Sequence, residues 1–382
     1  MRLASEAGIA LIGMAFVVCA LLANHSWFER HFLPTFFAPF EVYTVGVQVG
    51  RIVVAGLGAA LLRHVRPRFG QFVERRSARQ LAADVARIAV AVVLALGMSE
   101  WALRHTVFAL AAEDTPPEVE PKRQRDPWLG WKFAPSRTGR EQSDARVTEY
   151  AIDANGYRVR RADEGVDFER PSILFAGESI MVGHGLTWEE TVPAQIQSLL
   201  GIQSANLAVE GFATDQAYLR LAAEMPRFRQ PVAVVSLFTP ALFDRNLDAD
   251  RPHLDPGLVW QPGRHRSSLA ALARWLVPFH REAAIEQSIS VTREVLRATV
   301  DLARKRGAPC VILVPEFAPE QEAERELRRR ILDEAGLSYE RVELDPSWHI
   351  PWDRHPDARG ARAMAVAVAE RLSGLKPVQA PR

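Results

Sequence analysis

Three short segments of the sequence place chemically capable residues at the end of apolar runs that are typical of β-strands, or in the loop that follows such a run. Ser179 follows the first run and has the hydroxyl that a nucleophile needs. Gly211 follows the second run. Because glycine has no side chain, its backbone N–H can come close to a ligand and stabilise an oxyanion. Asp353 and His355 follow the last run and supply a base with a carboxylate that orients it. Together these residue types indicate nucleophilic attack on a carbonyl group.

Each segment also has an ordinary structural interpretation, and that interpretation is favoured when the segment is taken alone. Ser179 would be a helix N-cap, Gly211 a turn glycine, and the Asp-x-His segment a surface loop in which an aspartate caps the next helix. Asp345 and His349 are further acid and base candidates in the same region. The three segments occur in order, each after a successive strand, and this combination is much less likely to arise by chance than any one segment alone.

The elements that would position these residues alternate along the chain from residue 171. The predicted strands cover 172–178, 204–209, 232–238, 309–315 and 339–345. The predicted helices cover 189–200, 214–226, 282–306, 319–336 and 357–373. This alternation indicates a parallel sheet with helices on both faces, in which ligands bind beyond the carboxyl ends of the strands.

The remaining polar part of the chain divides by composition. Residues 112–125 are proline-rich and charged, as in a linker, and the α/β domain is predicted over 126–376 with a tail at 377–382. Within it, 147–159 has the character of a hairpin with its turn at 153–156. Residues 240–281 form a long insertion, interpreted as a lid or a substrate-facing loop.

Residues 1–111 are predicted to be a membrane anchor. Three apolar runs predict transmembrane helices at about 7–24, 43–62 and 84–103, each close to the length that crosses a bilayer. A cleaved signal peptide is the alternative for the first run. Glu100 and Arg104 have the spacing of an interfacial ion pair at the exit of the third helix.

Loop charges predict the orientation of the anchor. The first loop is aromatic and has one arginine, Arg30, whereas the second is strongly basic. The arginines of the second loop are Arg63, Arg66, Arg68, Arg75, Arg76 and Arg79. Because such loops remain cytoplasmic, the N-terminus is expected inside and the α/β domain outside.

Composition excludes several other classes of protein. The net charge of +1 and the hydrophobic content of 48% are incompatible with an intrinsically disordered chain and unfavourable for a nucleic-acid binder. Cys19 and Cys310 give neither a disulfide framework nor a metal cluster. Each lies in an apolar run, so neither is expected to be a nucleophile.

Residues 126–373 resemble the SGNH/GDSL superfamily of esterases and acyltransferases. The matching blocks are GES at 177–179, NLAVEG at 206–211 and DRHPDARG at 353–360. LGWKFAPS and NGYRV, further upstream, are similar to the region that precedes this domain in membrane-anchored bacterial members. The resemblance implies a flavodoxin-like, three-layer α/β/α domain preceded by an all-α transmembrane region.

The resemblance also assigns roles to the candidate residues. Ser179 would be the nucleophile, His355 the base and Asp353 the residue that orients it. The backbone N–H groups of Ser179 and Gly211 would be oxyanion donors. No metal and no organic cofactor are implied.

The sequence departs from the family pattern in two blocks. Glu178 replaces the usual aspartate and keeps the carboxylate. The third block lacks its oxyanion-donor asparagine, because 240–242 reads Pro-Ala-Leu at that place. Thr239 and Asn246 are the possible substitute donors, and losing one donor costs roughly 10²–10³ in rate.

The expected function is that of a serine esterase in a multi-pass protein of the bacterial inner membrane, with an extracytoplasmic catalytic domain. It would remove O-acyl groups, such as O-acetyl, from cell-envelope glycans or lipids through an acyl-serine intermediate. One alternative is an O-acyltransferase or accessory module that receives acyl groups from a membrane partner. The other is a weakly active or inactive binding module. No nucleic-acid partner is expected.

Overall fold

The computed structural model describes residues 2–32, 40–105, 120–142, 146–264, 267–351 and 353–374. Most of the predicted linker and the whole of the predicted tail lie outside these ranges. The chain forms two compact units. The first contains residues 1–34, 38–112 and 266–279, and the second contains 35–37, 113–265 and 280–382.

The first unit is helical. Its helices are α1 (Arg2–Leu22), α2 (His25–Phe32), α3 (Phe40–Ala60), α4 (Arg66–Glu74) and α5 (Ala78–His105). Three helical stretches are long and apolar enough to cross a membrane, namely Arg2–Leu22, Glu41–Glu74 and Ala78–His105. This agrees with the three predicted apolar runs. The second stretch is longer than predicted, because a π-helical turn at Leu61–Val65 joins α3 to α4 and makes most of the arginine-rich segment helical.

Glycines allow α1 and α3 to pack closely. A Cβ atom on Gly58 would lie 2.7 Å from the carbonyl oxygen of Gly13, and one on Gly13 would lie 2.8 Å from Leu62 Cγ. Small residues at such crossings let two apolar helices come into backbone contact without a polar driving force.

A helix from the predicted insertion packs within the first unit. This helix is α9 (Ser268–Leu276), and its first turn contacts Glu100 of α5. The Glu100 carboxylate accepts hydrogen bonds from the backbone N–H groups of Ser268 and Leu269, both at 2.8 Å. The predicted ion pair between Glu100 and Arg104 is also present, at 2.6 Å. Glu100 therefore caps α9 as well as pairing along its own helix.

The second unit is built on an eight-stranded sheet. Its strands are β3 (Arg137–Gln142), β4 (Val147–Ile152), β5 (Arg158–Val159), β6 (Ser172–Ala176), β7 (Gln203–Asn206), β8 (Pro231–Leu237), β11 (Cys310–Glu316) and β12 (Tyr339–Glu343). They lie in the order β12-β11-β8-β6-β7-β5-β4-β3. The five strands from β12 to β7 are parallel and have the flavodoxin-like order, whereas β5, β4 and β3 extend the β7 edge in antiparallel fashion.

Helices cover both faces of this sheet. The helices of the second unit are α6 (Ser179–Val182), α7 (Val192–Leu200), α8 (Thr214–Glu224), α10 (Glu282–Lys305), α11 (Glu322–Arg328) and α12 (Ala358–Gly374). Helices α7 and α12 pack together on one face, and α8 and α10 on the other. Strand β6 is buried throughout, and its alternate residues enter two separate apolar clusters. The predicted three-layer α/β/α fold is therefore confirmed.

Smaller elements complete the second unit. The predicted hairpin is formed by β4 and β5, with the turn closed by a hydrogen bond from Gly156 N to Asp153 O. Two short hairpins precede or interrupt the α/β pattern: β1 (Arg123–Asp126) with β2 (Gly130–Phe133), and β9 (His253–Asp255) with β10 (Val259–Gln261). A 3₁₀ segment, Pro240–Leu247, follows β8.

Candidate active site

The turn between β6 and α6 presents Ser179. A Cβ atom on Gly177 would lie 3.0 Å from Leu237 Cβ and 3.1 Å from Met181 Cβ, so the backbone passes through a space with little room for a side chain. Glu178 is the N-cap of α6, and its carboxylate accepts from Ile180 N at 3.2 Å. Ser179 is the first helical residue, and only 5% of it is exposed. The N-cap interpretation of Ser179 is therefore wrong, because Glu178 occupies that position.

His355 and Asp353 lie beside Ser179, as the sequence pattern predicts. The Nε2 atom of His355 is 2.7 Å from Ser179 Oγ, and its Nδ1 atom is 2.8 Å from Asp353 Oδ1. Asp353 Oδ1 also accepts from the backbone N–H of His355 at 3.1 Å. Although burial raises the pKa of Asp353, the contacts with His355 and His184 lower it overall, which keeps this carboxylate ionised.

The other acid and base candidates of this region have different contacts. Asp345 Oδ1 accepts from the backbone N–H and the hydroxyl of Ser347, and His349 Nδ1 lies 2.9 Å from Ile350 O. Asp357 caps α12 by accepting from two backbone N–H groups. The capping aspartate expected in the ordinary interpretation is thus Asp357, and Asp353 is left to face the histidine.

The loop after β7 runs along the nucleophile turn. Asn206 donates to Met181 O at 3.0 Å and accepts from Ala208 N at 3.2 Å, which ties this loop to α6. Val209 N donates to Gly177 O at 3.3 Å. Gly211, two residues further on, has a φ of +77°, a conformation that favours glycine. The loop therefore brings Gly211 to the same edge of the sheet as Ser179.

The two possible substitute donors differ in their contacts. The amide nitrogen of Asn246 donates to the hydroxyls of Thr214 and Thr292, at 3.0 and 2.9 Å, so it is committed to holding the fold. The hydroxyl of Thr239 is buried and has no hydrogen-bond partner among the residues that the structure describes. It lines a cavity of about 20 Å³ together with Glu178 and Arg245, enough for one water molecule.

Arg245 is a residue of the site that sequence reasoning missed. Its Nη1 atom lies 3.0 Å from Glu178 Oε2, and both side chains are largely buried. The same carboxylate oxygen of Glu178 contacts Ser179 Oγ. A guanidinium is thus one residue away from the nucleophile, in a region where charges are poorly screened.

His184 is a second residue that sequence reasoning missed. Its ring centroid is 4.6 Å from that of His355, and its Nε2 atom is 3.7 Å from Asp353 Oδ2. Its Nδ1 atom lies 2.8 Å from Glu210 Oε1. Although burial lowers the pKa of His184, the nearby carboxylates of Glu210, Glu141 and Asp353 raise it overall.

A fully buried arginine holds the far end of the nucleophile helix. Arg158 of β5 donates to the carbonyl oxygens of Val182 and Gly183, at 2.7 and 2.6 Å, and to that of Leu186. Its guanidinium carbon lies 4.4 Å from the centre of the Tyr150 ring. Burial lowers the pKa of Arg158, which shows the electrostatic cost of placing a cation here. The bond to Val182 satisfies a C-terminal carbonyl group of α6, and the bonds to Gly183 and Leu186 hold the turn that follows this helix.

Comparison with known proteins gives matches only among solved structures; no family model and no curated protein matches the sequence significantly. One similar structure is a member of the lipolytic G-D-S-L family from Veillonella parvula (11% identity, 53% of this chain, 99% of that chain, TM-score 0.34). Another is an acetyl xylan esterase from Butyrivibrio proteoclasticus (11% identity, 55% of this chain, 65% of that chain, TM-score 0.34). A third is an esterase of the SGNH-hydrolase family (17% identity, 55% of this chain, 97% of that chain, TM-score 0.27).

Proposed function

We propose that the second unit is a serine ester hydrolase of the SGNH type. The observation that carries this proposal is the buried chain of contacts from Ser179 Oγ to His355 Nε2 at 2.7 Å and from His355 Nδ1 to Asp353 Oδ1 at 2.8 Å. A serine, a histidine and a carboxylate in this geometry activate the hydroxyl for attack on an ester carbonyl.

The chemical steps follow from the positions of these groups. Ser179 Oγ bonds to the ester carbonyl carbon while its proton moves to His355 Nε2, and Asp353 stabilises the resulting imidazolium. The carbonyl oxygen becomes an oxyanion that the backbone N–H groups of Ser179 and Gly211 receive. The C–O bond then breaks, and the departing alcohol takes the proton from His355. Water repeats the sequence on the acyl-serine and releases the acid.

Thr239 is the proposed third donor to the oxyanion. Its hydroxyl is buried beside the nucleophile turn and has no partner among the described residues, whereas the Asn246 amide is engaged elsewhere. A hydroxyl can rotate its proton towards a charge that develops in the reaction. This arrangement would replace the missing asparagine of the third block.

The proposed substrates are O-acyl esters of cell-envelope glycans or lipids on the outer side of the inner membrane. The three apolar helices and the arginines at 63–79, which follow the second apolar run of the sequence and precede the third, support this placement. A glycan is further supported by tryptophans near the oxyanion loop. Trp131 donates to Glu210 O at 2.8 Å, and Trp128, which is 44% exposed, stacks on Trp260 at 4.7 Å. Flat aromatic faces suit the apolar face of a sugar ring.

The test is hydrolysis of a short-chain p-nitrophenyl ester by the full-length protein in purified membranes. Ser179→Ala should reduce kcat/KM by at least about 10³-fold, since the nucleophile is lost. Ser198→Ala, which removes an exposed hydroxyl from α7, should leave the rate unchanged. Full activity in Ser179→Ala membranes would refute the proposal.

An O-acyltransferase is the second candidate, because an acyl-serine can pass its acyl group to a hydroxyl as well as to water. The membrane helices of the first unit favour it, since they offer a surface for a partner that supplies acyl donor. Purified protein that releases free acid with water as the sole acceptor would support the hydrolase. Acylated glycan that forms only in the presence of the membrane unit would support the transferase.

A further inference from the structure

A cluster of two histidines and an aspartate lies at the candidate active site. The ligating atoms of His184, Asp353 and His355 all lie within 4.8 Å of one another. His355 Nδ1 lies 2.8 Å from Asp353 Oδ1, and His184 Nε2 lies 3.7 Å from Asp353 Oδ2. The triad uses only His355 and Asp353, so His184 is an additional nitrogen ligand within reach of the same carboxylate.

Glu210 determines which nitrogen of His184 faces the cluster. Its carboxylate lies 2.8 Å from Nδ1, so it accepts the proton on that nitrogen. In the neutral ring, Nε2 then has a free lone pair, and this nitrogen lies 3.7 Å from Asp353 Oδ2. A ligating histidine that donates its other N–H to a carboxylate is the usual arrangement around protein-bound metals.

The separation between His184 and Asp353 also fits a metal better than a direct hydrogen bond. At 3.7 Å, Nε2 and Oδ2 are too far apart for a hydrogen bond. Two ligands of one tetrahedral zinc ion lie about 3.3–3.5 Å apart, given zinc–nitrogen and zinc–oxygen distances near 2.1 Å. A small movement of either side chain would therefore bring both to zinc.

We propose that Zn²⁺ binds between His184 Nε2, His355 Nδ1 and Asp353, with water as the fourth ligand, and that it inhibits the enzyme. Imidazole and carboxylate groups are ligands that zinc prefers, and three protein ligands with one open position form a common coordination shell. Binding displaces any proton on His184 Nε2 into solvent. It also replaces the 2.8 Å contact between His355 Nδ1 and Asp353 Oδ1, and the proton of His355 Nδ1 moves through solvent to Nε2 of the same ring.

Inhibition follows from the chemistry of the imidazole ring. When zinc occupies Nδ1 of neutral His355, the proton of the ring is on Nε2. Nε2 can then donate to Ser179 Oγ but cannot accept its proton, so the serine is not activated. Zinc also binds the Asp353 carboxylate, whose negative charge would otherwise stabilise the imidazolium. The metal is therefore an inhibitor of the triad and has no role as a cofactor.

The experiment measures zinc binding and zinc inhibition on the full-length protein in detergent. Binding is followed by competition with a chromophoric zinc chelator, and inhibition by hydrolysis of a p-nitrophenyl ester before and after addition of EDTA. Wild-type protein should bind one zinc ion and recover its activity with EDTA. Glu210→Gln should weaken binding about 10–100-fold, as is usual for a carboxylate that supports a ligating histidine.

Two histidine variants distinguish zinc binding at this site from zinc binding at histidines elsewhere in the chain. His184→Asn should weaken zinc binding at least as strongly as Glu210→Gln, whereas His253→Asn, a change in the β9–β10 hairpin, should leave it unaltered. Equal zinc affinity in wild type and His184→Asn would overturn the proposal, and so would equal inhibition of both.

The inhibition measurement rests on the proposed esterase function, but the binding measurement does not. Ser179→Ala should bind zinc as wild type does, because the hydroxyl is not a ligand. If Ser179→Ala retains esterase activity while zinc still binds at His184, the proposed function fails and the metal site remains. If hydrolysis depends on Ser179 and zinc does not bind, only the metal site fails.

Discussion

The proton of Ser179 Oγ has two acceptors within reach, Glu178 Oε2 and His355 Nε2. A hydroxyl has a single proton, so it can donate to only one of them at a time. Attack on an ester requires donation to His355, and donation to Glu178 competes with it. Arg245, 3.0 Å from the same Glu178 oxygen, offsets the charge of that carboxylate. We therefore regard Arg245 as a positioning residue.

Arg245→Met is expected to lower kcat by about 10²-fold while KM changes little, because an uncompensated carboxylate would oppose a developing oxyanion. Arg245→Lys should recover part of the loss, since a lysine keeps the charge without the planar geometry. The measurement is ester hydrolysis by both variants, with folding checked by circular dichroism. A kcat equal to that of wild type in Arg245→Met would exclude this role.

At this scale the sequence carries a signal only where that signal is local. Ser179 directly follows β6, Asp353 and His355 lie in the loop between β12 and α12, and the structure brings the three side chains together. Arg245 and His184 gave no such signal, because their importance comes from contacts with residues that are distant in sequence. A charged side chain in a loop is usually solvated. Only the fold reveals that Arg245 and His184 are largely buried near Ser179.

At the scale of secondary structure, the nucleophile helix α6 has only four residues and depends on outside support. A helix this short cannot satisfy its own terminal carbonyl groups, and Arg158 of β5 supplies the missing donors. The β4–β5 hairpin, which precedes the parallel strands of the sheet, thus helps to hold Ser179 in place.

Arg158→Met should lower the free energy of unfolding of the second unit by about 3 kcal/mol or more, because three carbonyl groups would lose their donor in a buried place. Arg161→Met is the matched control. Arg161 pairs with Asp163 on the surface, where ion pairs contribute little. Urea unfolding of the full-length protein in detergent, followed by tryptophan fluorescence, measures both. Equal midpoints for Arg158→Met and wild type would contradict the assigned role.

The strands and helices of the α/β pattern were predictable because their apolar residues recur with clear periods. All five predicted parallel strands are present, with ends displaced by up to three residues. The insertion was not predictable in this way. The α9 helix packs against α5 within the first unit, and its first backbone N–H groups bond to Glu100, a partner that no local pattern indicates. The predicted helix at 319–336 is partly π-helical, at Arg329–Asp333.

At the scale of the whole molecule, apolar helices and a polar α/β unit share one chain. The overall charge balance and mean hydropathy average over both parts, so the helices that are apolar enough to cross a membrane are evident only from the local runs. The arginines at 63–79, between the second and third apolar runs of the sequence, are the feature from which orientation can be inferred.

The expected orientation places the C-terminus outside the cytoplasm. Alkaline phosphatase fused at the C-terminus should be active, because it requires an oxidising compartment, and a fused green fluorescent protein should be dark. Fusion after Arg76, between the second and third apolar helices, should give the opposite pair of results. An active C-terminal phosphatase in cells would support the orientation, and a fluorescent C-terminal fusion would contradict it.

The central claim is that Ser179 is an activated nucleophile, and covalent labelling tests it most directly. Full-length protein in native membranes is treated with a fluorophosphonate, and the labelled peptide is identified by mass spectrometry. We predict labelling of Ser179 that is absent in Ser179→Ala and strongly reduced in His355→Gln. A folded wild-type protein that remains unlabelled at Ser179, or a His355→Gln variant that labels as fast as wild type, would contradict the claim.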